Sequence, residues 1–133
     1  MTIDYKEPVT IRSAAALTTS YVAATILGKE TGQSTKVNEY NQLILYVDFT
    51  IGSLTSAEIK VEFSPDNTSW YQESHEKLDN GIANVYTLTY TLSATGAYRI
   101  PIPCNDRYIK VSAKGTGTVT NSSMTIKAAM GVN

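Results

Sequence analysis

Apolar side chains occupy every second position in two stretches of the chain, and this alternation constrains the fold more than any other feature. In residues 43–51 the apolar set is Leu43, Leu45, Val47, Phe49 and Ile51. In residues 58–64 it is Ile59, Val61 and Phe63, and the positions between them are Glu58, Lys60, Glu62 and Ser64. A period of two puts alternate side chains on opposite faces of a β-strand. We therefore predict two strands with one core face each, the second having a charged face in water.

The other face of the first predicted strand carries Ile44 and Tyr46, so we expect it to be partly covered near its start. Further strands are predicted where β-branched and aromatic residues are frequent. These stretches are residues 9–17, 21–27, 70–73, 84–92, 96–103, 106–113 and 119–130. Residues 65–68 and 115–117 have the composition of turns, and residues 28–38 that of an exposed loop. Pro101 and Pro103 lack the backbone donor and therefore predict an edge strand.

About eight or nine short strands separated by turns predict an all-β fold, an antiparallel β-sandwich of the jelly-roll or immunoglobulin-like kind. The chain has 133 residues, which suits one domain, and it contains neither a repeat nor a linker. We therefore expect a single domain over residues 1–133, in which residues 1–8, with Tyr5, are a candidate N-terminal arm that reaches a neighbour.

The charge pattern and the single cysteine narrow the classes of partner and compartment. Eleven basic and twelve acidic residues give a net charge of −1 without a basic stripe, so direct binding to nucleic acid is not expected. No apolar run reaches the roughly 18 residues of a membrane span, and we predict no membrane partner. Cys104 cannot form an intrachain disulfide, and the first residues do not look like a signal peptide, so we expect synthesis in a cytoplasm.

Residues with catalytic or metal-binding chemistry are few. His75 is the one histidine, and we expect a solvated surface side chain rather than a base or a metal ligand. Cys104 lies between Pro103 and Asn105 and is predicted to be a small apolar filler rather than a reactive thiol. A transition-metal site needs several His or Cys ligands, which this sequence does not supply.

Acidic residues near His75 have a simpler explanation than catalysis. Glu73, Glu76 and Asp79 could be read as a glycosidase pair, but we expect them to keep a loop soluble. Asp66 and Asn67 are predicted to form a turn rather than a calcium site, because the alternating acidic loop and its glycine are missing. We accordingly assign no catalytic, cofactor-binding or metal-binding residue and expect a protein that is not an enzyme.

Aromatic residues are the strongest indication of a binding surface. Trp70 and Tyr71 could form a flat platform for a sugar ring, although a core position is the more common fate of a lone Trp in a strand. Tyrosine occurs nine times, and one small core cannot hold all of Tyr40, Tyr46, Tyr86, Tyr90, Tyr98 and Tyr108. Tyrosine is enriched at interfaces. The predicted interface or glycan contacts are Trp70, Tyr71, Tyr46 and Tyr90.

Four segments together resemble a known class of protein. They are SAAALTTSYV at 13–22, YNQLILYVD at 40–48, IKVEFSPDNTSWY at 59–71 and DRYIKVSAKGTGTV at 106–119. The sequence resembles small β-sandwich virion proteins of tailed bacteriophages over most of the chain after about residue 13. Similar strand-and-turn motifs also recur in discoidin-like and carbohydrate-binding modules.

The resemblance implies a structural role without catalytic residues. It implies a capsid decoration (cement) protein that binds the major capsid protein on the capsid surface of the virion and stabilises the head. Proteins of this kind are often homo-oligomers, and a trimer is favoured. The alternative is a tail, fibre or baseplate module that engages host surface glycans, first through Trp70 and Tyr71. A hydrolase ranks below both.

Overall fold

A computed structural model describes residues 4–5, 7–28, 42–104 and 106–132, which form thirteen strands and no helix. One sheet has five strands: β1 (Asp4–Tyr5), β2 (Val9–Ala15), β5 (Gln42–Thr50), β11 (Gly96–Pro103) and β13 (Ser123–Val132). Another has six: β3 (Val22–Ala23), β4 (Leu27–Gly28), β6 (Leu54–Ser64), β7 (Tyr71–Gln72), β10 (Thr89–Leu92) and β12 (Tyr108–Gly117). The remaining two strands, β8 (Ser74–Asp79) and β9 (Ile82–Thr87), belong to neither sheet and pair only with each other among the described residues.

The order of the strands selects one of the two predicted sandwich types. The long strands run β2-β13-β5-β11 in one sheet and β12-β6-β10 in the other, where β3 and β4 pair with the free side of β12. Chain connections cross from sheet to sheet at β2–β3, β4–β5, β5–β6, β10–β11, β11–β12 and β12–β13. Two antiparallel sheets joined in this way form a jelly roll. The prediction of an all-β antiparallel sandwich is confirmed.

A single apolar core lies between the two sheets, and the predicted alternation supplies it. Leu43, Leu45 and Val47 of β5 point into this core together with Ile59 and Val61 of β6. The outer face of β5 is also covered near its start, as predicted, because Ile44 is buried outside that core. Among the described residues β11 pairs only with β5, which confirms the edge position predicted from its two prolines.

The turn after β6 forms as predicted, but Ser64 does not face water. Its side chain is fully buried, and its Oγ accepts hydrogen bonds from the backbone N–H of Asp66 (3.2 Å) and Asn67 (2.9 Å). The Asp66 carboxylate in turn accepts the N–H groups of Ser69 and Thr68, each at 2.9 Å, and these bonds lower the pKa of Asp66. Asn67 takes the positive φ of 62° that the turn needs.

The predicted turn at residues 115–117 is wrong, because β12 continues through Gly117. Gly115 pairs with Ala57 and packs so tightly that an added Cβ would lie 2.6 Å from Leu54 Cδ2. The chain reverses later, where Asn121 has a φ of 59°. Here glycine marks a close approach of side chains rather than a reversal of the chain.

The predicted single strand over residues 84–92 is also wrong, because it divides at Leu88. Residues before it belong to β9, which pairs with β8, and residues after it belong to β10, which pairs with β6. Leu88 N donates to Glu73 O at 2.8 Å and so marks the change of partner. Residues 21–27 likewise form two short strands, β3 and β4, instead of one.

Two predicted segments fall largely outside the described residues. Of the loop at residues 28–38, only Gly28 is described, and it belongs to β4. Of the candidate arm at residues 1–8, Asp4 and Tyr5 form β1 and pair with β13 of the same chain. Whether residues 1–8 reach a neighbour stays a prediction. No helix among the described residues is long and apolar enough to cross a membrane.

Candidate functional site

A β-hairpin formed by β8 and β9 lies outside both sheets of the jelly roll. It is inserted in the connection between β7 and β10, and its two ends meet where Leu88 N donates to Glu73 O. The turn is Asn80–Gly81, with φ values of 52° and 78°. Positive φ at both central residues defines a type I′ turn, whose twist matches that of the flanking strands. The local sequence therefore specifies this hairpin without help from the core.

The side chains of this hairpin are exposed on both of its faces. Leu78, Val85 and Ile82 are 73%, 69% and 64% exposed, and Tyr86 is also exposed. These four account for more than half of the seven large apolar or aromatic side chains that are exposed in the described part of the chain. Such clustering is uncommon on a monomeric soluble protein, so the hairpin is the candidate interaction surface of this chain.

The two faces of the hairpin differ in chemistry. Directly opposite residues share a face, and the ladder pairs Leu78 with Ala83 and Glu76 with Val85 on one side. The other side carries polar and ionisable groups, and there the rings of His75 and Tyr86 lie 5.9 Å apart. One face, the apolar face, thus carries three apolar residues, Leu78, Ala83 and Val85. The other face has Ile82 and Tyr86 among polar and ionisable groups.

Sequence analysis missed this hairpin, although a signal was present. Residues 74–79 were interpreted as a polar loop because His75, Glu76, Lys77 and Asp79 dominate them. The dipeptide Asn80-Gly81, with Asp79 before it and Ile82 after it, is the strongest short-range indication of a two-residue hairpin turn. The expectation that His75 is solvated is confirmed, although it lies on a strand.

An open groove of about 550 Å³ lies at the root of the hairpin. Its walls include the ring of Tyr71, which is 64% exposed, and the side chains of Gln72, Glu73 and Asp106. Phe63 contributes apolar surface. An aromatic face beside carboxylate and amide groups can stack on a flat apolar surface and hydrogen-bond hydroxyl groups around it.

Glu73 and Tyr90 form the most perturbed pair of ionisable groups near this groove. Tyr90 Oη donates to Glu73 Oε1 at 3.0 Å. Burial raises the pKa of Glu73, although the hydrogen bond from Tyr90 acts in the opposite direction. Burial, the Glu73 charge and the shared hydrogen bond raise the pKa of Tyr90 to about 12. Tyr90 packs against the core and positions Glu73.

The four predicted contact residues do not form one surface. Tyr71 lines the same groove as Glu73, and Tyr90 donates a hydrogen bond to Glu73. Trp70 is half-buried outside the core, so a core position was wrong, and Lys110 Nζ lies 4.4 Å from its ring centroid. Tyr46 lies on the other sheet, where it lines a separate pocket of about 370 Å³ with Asp48 and Lys127.

The remaining predicted tyrosines have different environments. Tyr98 is partly buried and donates from Oη to Ala94 O at 2.6 Å. Tyr108 is buried, and its ring lies where a side chain on Gly28 would be. Tyr86 is exposed on the hairpin, whereas Tyr40 lies outside the described residues. Among the six tyrosines that one small core cannot hold, Tyr46 and Tyr86 are exposed enough to serve as contacts.

Cys104 is buried, as predicted. Burial, together with the charge of Asp106, raises its pKa to about 11, so the thiol stays protonated at neutral pH and is a poor nucleophile. Within the part of the chain that the structure describes, no three His, Cys, Asp or Glu side chains cluster as metal ligands.

The sequence matches no protein-family model, and no curated protein matches it.

Proposed function

We propose that this chain is a non-enzymatic structural protein of a bacteriophage virion, a capsid decoration protein that binds the major capsid protein and stabilises the head. The observation that carries the proposal is the β8–β9 hairpin, which pairs with neither sheet of the folded domain and exposes several large apolar side chains. Leu78 and Val85 share its apolar face, and both are more than two-thirds exposed.

Burial of that face against a partner supplies the binding energy in this proposal. Removing apolar surface from water contributes about 25 cal/mol per Å², so a few large side chains are enough to anchor a docking element. The jelly roll behind it is rigid, because its two sheets share one continuous core. A folded domain that presents a hairpin with a favourable turn loses less conformational entropy when it binds than a disordered arm would.

The fold is compatible with this role. Jelly rolls occur in viral capsid proteins and also in lectins. A fold by itself does not give a function, so the proposal depends on the hairpin and on the resemblance to small virion proteins of tailed bacteriophages. The proposed location is the capsid surface, and the proposed partners are the major capsid protein and further copies of this chain.

Cryo-electron microscopy of the native particle tests the proposal. We expect density for this jelly roll on the outside of the capsid shell, with residues 74–87 in contact with neighbouring protein. Density on the tail alone, or none on the particle, would overturn a head-decoration role.

A binding assay with capsid shells that lack this protein tests whether the β8–β9 hairpin is the docking element. We expect Leu78→Ser combined with Val85→Ser to weaken binding by at least about tenfold. Val22→Ser is the matched control, because Val22 is also exposed but lies on β3, away from the hairpin. Equal binding by the hairpin variant and the wild type would show that another surface docks.

The groove at the hairpin root supports a second candidate, a tail, fibre or baseplate module that binds host glycans. The specific observation is that the exposed Tyr71 ring lies beside Gln72, Glu73 and Asp106 in one groove. Trp70 is a weaker candidate than Tyr71, because Lys110 lies over its ring.

A glycan array separates this candidate from the first. Binding that is lost in Tyr71→Ala but kept in Tyr46→Ala would favour the glycan-binding module, since Tyr46 lies on the opposite sheet. If the wild type binds no glycan, or if Tyr71→Ala binds glycans as well as the wild type does, the second candidate is excluded. A Trp70→Ala variant that changes only stability would count against a contact at Trp70.

A further inference from the structure

The two edges of the β8–β9 hairpin differ in charge. β8 contains His75, Glu76, Lys77 and Asp79, so four of its six residues are ionisable. β9 has the sequence IANVYT and contains no His, Lys, Arg, Asp or Glu. Charged side chains, lysine above all, are a common means of preventing a sheet edge from pairing with another chain. The edge of β8 has this protection, and the edge of β9 does not.

The outer backbone edge of β9 pairs with no strand in the described part of the chain. Asp79 and Ile82 flank the two-residue turn and form a hydrogen-bonded pair, and such pairs alternate along an antiparallel ladder. Asn84 therefore directs its N–H and C=O toward β8, whereas Ala83 and Val85 direct theirs to the outer edge. Within the described residues β9 pairs with β8 alone.

A two-stranded hairpin is at best marginally stable in water, and three or more strands are needed for independent stability. The β8–β9 hairpin has only its two strands, and neither face is covered in the described part of the chain. An additional strand at the β9 edge would supply both missing hydrogen bonds and apolar contacts.

We propose that the partner of the β9 edge is β9 of a second copy of this chain. The two strands pair antiparallel about a two-fold axis at Asn84, so that two hairpins form one four-stranded sheet. This inference deepens the assembly role proposed above and concerns the same hairpin, but it assigns the edge of β9, not the apolar face, to the second copy.

Self-complementarity of the β9 sequence identifies the occupant. With Asn84 opposite Asn84 of the second copy, Ile82 lies opposite Tyr86, and Ala83 lies opposite Val85. Each apolar or aromatic residue therefore lies directly opposite another one. The two-fold axis produces each of these pairs twice. Aromatic and β-branched cross-strand pairs of this kind stabilise a sheet.

The opposite edge does not allow the same pairing. A two-fold axis through the middle of β8 would place either Glu76 against Glu76 or Lys77 against Lys77 of the second copy. Like charges directly opposite each other destabilise a sheet. In the sheet formed by pairing β9 with β9, a charged β8 strand lies at each outer edge. Growth of that sheet would therefore stop at two hairpins.

Disulfide trapping tests the register directly. In a non-hydrogen-bonded antiparallel pair the two Cα atoms are about 4.5 Å apart, which is within the range of a disulfide. We expect Asn84→Cys to form a covalent dimer under mild oxidation. Lys77→Cys is the matched control, because Lys77 is directly opposite Asn84 on the same hairpin but on the other edge. The native Cys104 is buried and does not interfere.

Light scattering and sedimentation of the unmodified chain measure the association itself. We expect a dimer, or an even-numbered assembly if copies also meet elsewhere. Val85→Lys places a cation at the paired edge and should raise the dissociation constant at least about tenfold. Leu78→Lys is the control, since it makes the same kind of change on β8 and should leave the mass unchanged.

Three results would overturn the inference: a monomer at all concentrations, a trimer that Val85→Lys leaves intact, or equal cross-linking of Asn84→Cys and Lys77→Cys. None of these bears on capsid binding. If cross-linking fails while cryo-microscopy shows the chain on the capsid shell, the proposed function stands and the β9 contact does not. If cross-linking succeeds without density on the particle, the reverse holds.

Discussion

The jelly roll and the β8–β9 hairpin are built from the same kind of antiparallel ladder, yet they use it differently. In the jelly roll each long strand turns one face to a shared core, so Leu45 and Ile59 are fully buried. In the hairpin the strands pair just as regularly, but apolar side chains lie on both faces, and Leu78 and Val85 stay exposed. A strand-forming pattern therefore specifies local structure in both regions, whereas burial requires a second layer, which the hairpin does not have within the described part of the chain.

The two regions should differ most in the free energy of unfolding that is lost when a large apolar side chain is removed. Leu45 lies on a central strand of the five-stranded sheet, so Leu45→Ala leaves a cavity in the core and should lower the free energy of unfolding by about 2–5 kcal/mol. Leu78→Ala should change it by no more than about 0.5 kcal/mol, because that side chain is exposed. Chemical denaturation of the isolated chain, at concentrations where it is monomeric, measures both.

An equal loss of stability in Leu45→Ala and Leu78→Ala would contradict the difference in burial between the jelly roll and the hairpin. It would show that Leu78 is buried in the isolated chain, against either the domain or a second copy. Repeating Leu78→Ala at a higher protein concentration separates these two cases, because only association depends on concentration.

Two glycines with positive φ extend the comparison to the backbone. Gly52 has a φ of +56°, and an added Cβ would lie 2.5 Å from the backbone of Asn121. Gly52→Ala should therefore lower the free energy of unfolding by about 2–4 kcal/mol, through a left-handed backbone and a steric clash together. Gly81 has a φ of +78°, but nothing lies within 4 Å of the added Cβ.

Gly81→Ala should accordingly act on the hairpin alone. We expect a cost of about 1–2 kcal/mol to the turn, with the unfolding midpoint of the domain unchanged. Hydrogen exchange should show lost protection in residues 74–87 only. Lost protection in β5 or β6 as well would mean that the hairpin and the jelly roll fold as one cooperative unit.

Tyr90 lies at the junction of the two regions, and its ionisation gives an alkaline test. The pKa of Tyr90 is raised from 10.0 to about 12 by burial and by Glu73, so the folded state favours the protonated phenol. The resulting stability is fully present below pH 10 and is lost as the pH rises through 12. Tyr90→Phe should remove this component of the alkaline loss and cost about 1 kcal/mol at neutral pH. Denaturant titrations across that pH range measure the difference between the two proteins.

The smallest effect is expected on the charged outer face of the six-stranded sheet. Lys114 Nζ lies 3.4 Å from Glu58 Oε2 and 4.9 Å from the centre of the Tyr21 ring. These contacts are partly exposed, so Lys114→Ala should cost about 0.5 kcal/mol, and the cost should shrink at high salt. A loss of 2 kcal/mol or more, on the order of a core substitution, would show that this face is covered by another protein surface.

The sequence predicted structure well where the signal was local, and poorly where a feature depends on residues distant along the chain. The strand over residues 96–103 was predicted with the bounds it has in the structure, because its alternation and prolines are local properties. The glycines at 115 and 117 misled, since the close approach of Gly115 to Leu54 and of Gly117 to Thr55 leaves the same composition as a turn. Leu88 misled as well, because the alternation continues through the point where the partner strand changes.

The candidate site was harder to predict than the fold. Tyr71 was identified as a contact, and it is exposed in the groove at the hairpin root. Trp70 and Tyr46 were identified with it, but they lie in other places, because neither composition nor periodicity says which strands become neighbours. The Asn80–Gly81 turn was the overlooked signal, and it would have revealed the hairpin but not its exposure.

By itself, the sequence determined that the chain is all-β, which residues alternate into the core, and that an isolated Asn-Gly turn joins two strands. These are short-range consequences of side-chain period and turn geometry. Only the tertiary structure decided that the strands are arranged as a jelly roll and that β8 and β9 stand apart from it with an uncharged outer edge on β9. Pairing and exposure depend on contacts between residues distant along the chain, and no local pattern contains that information.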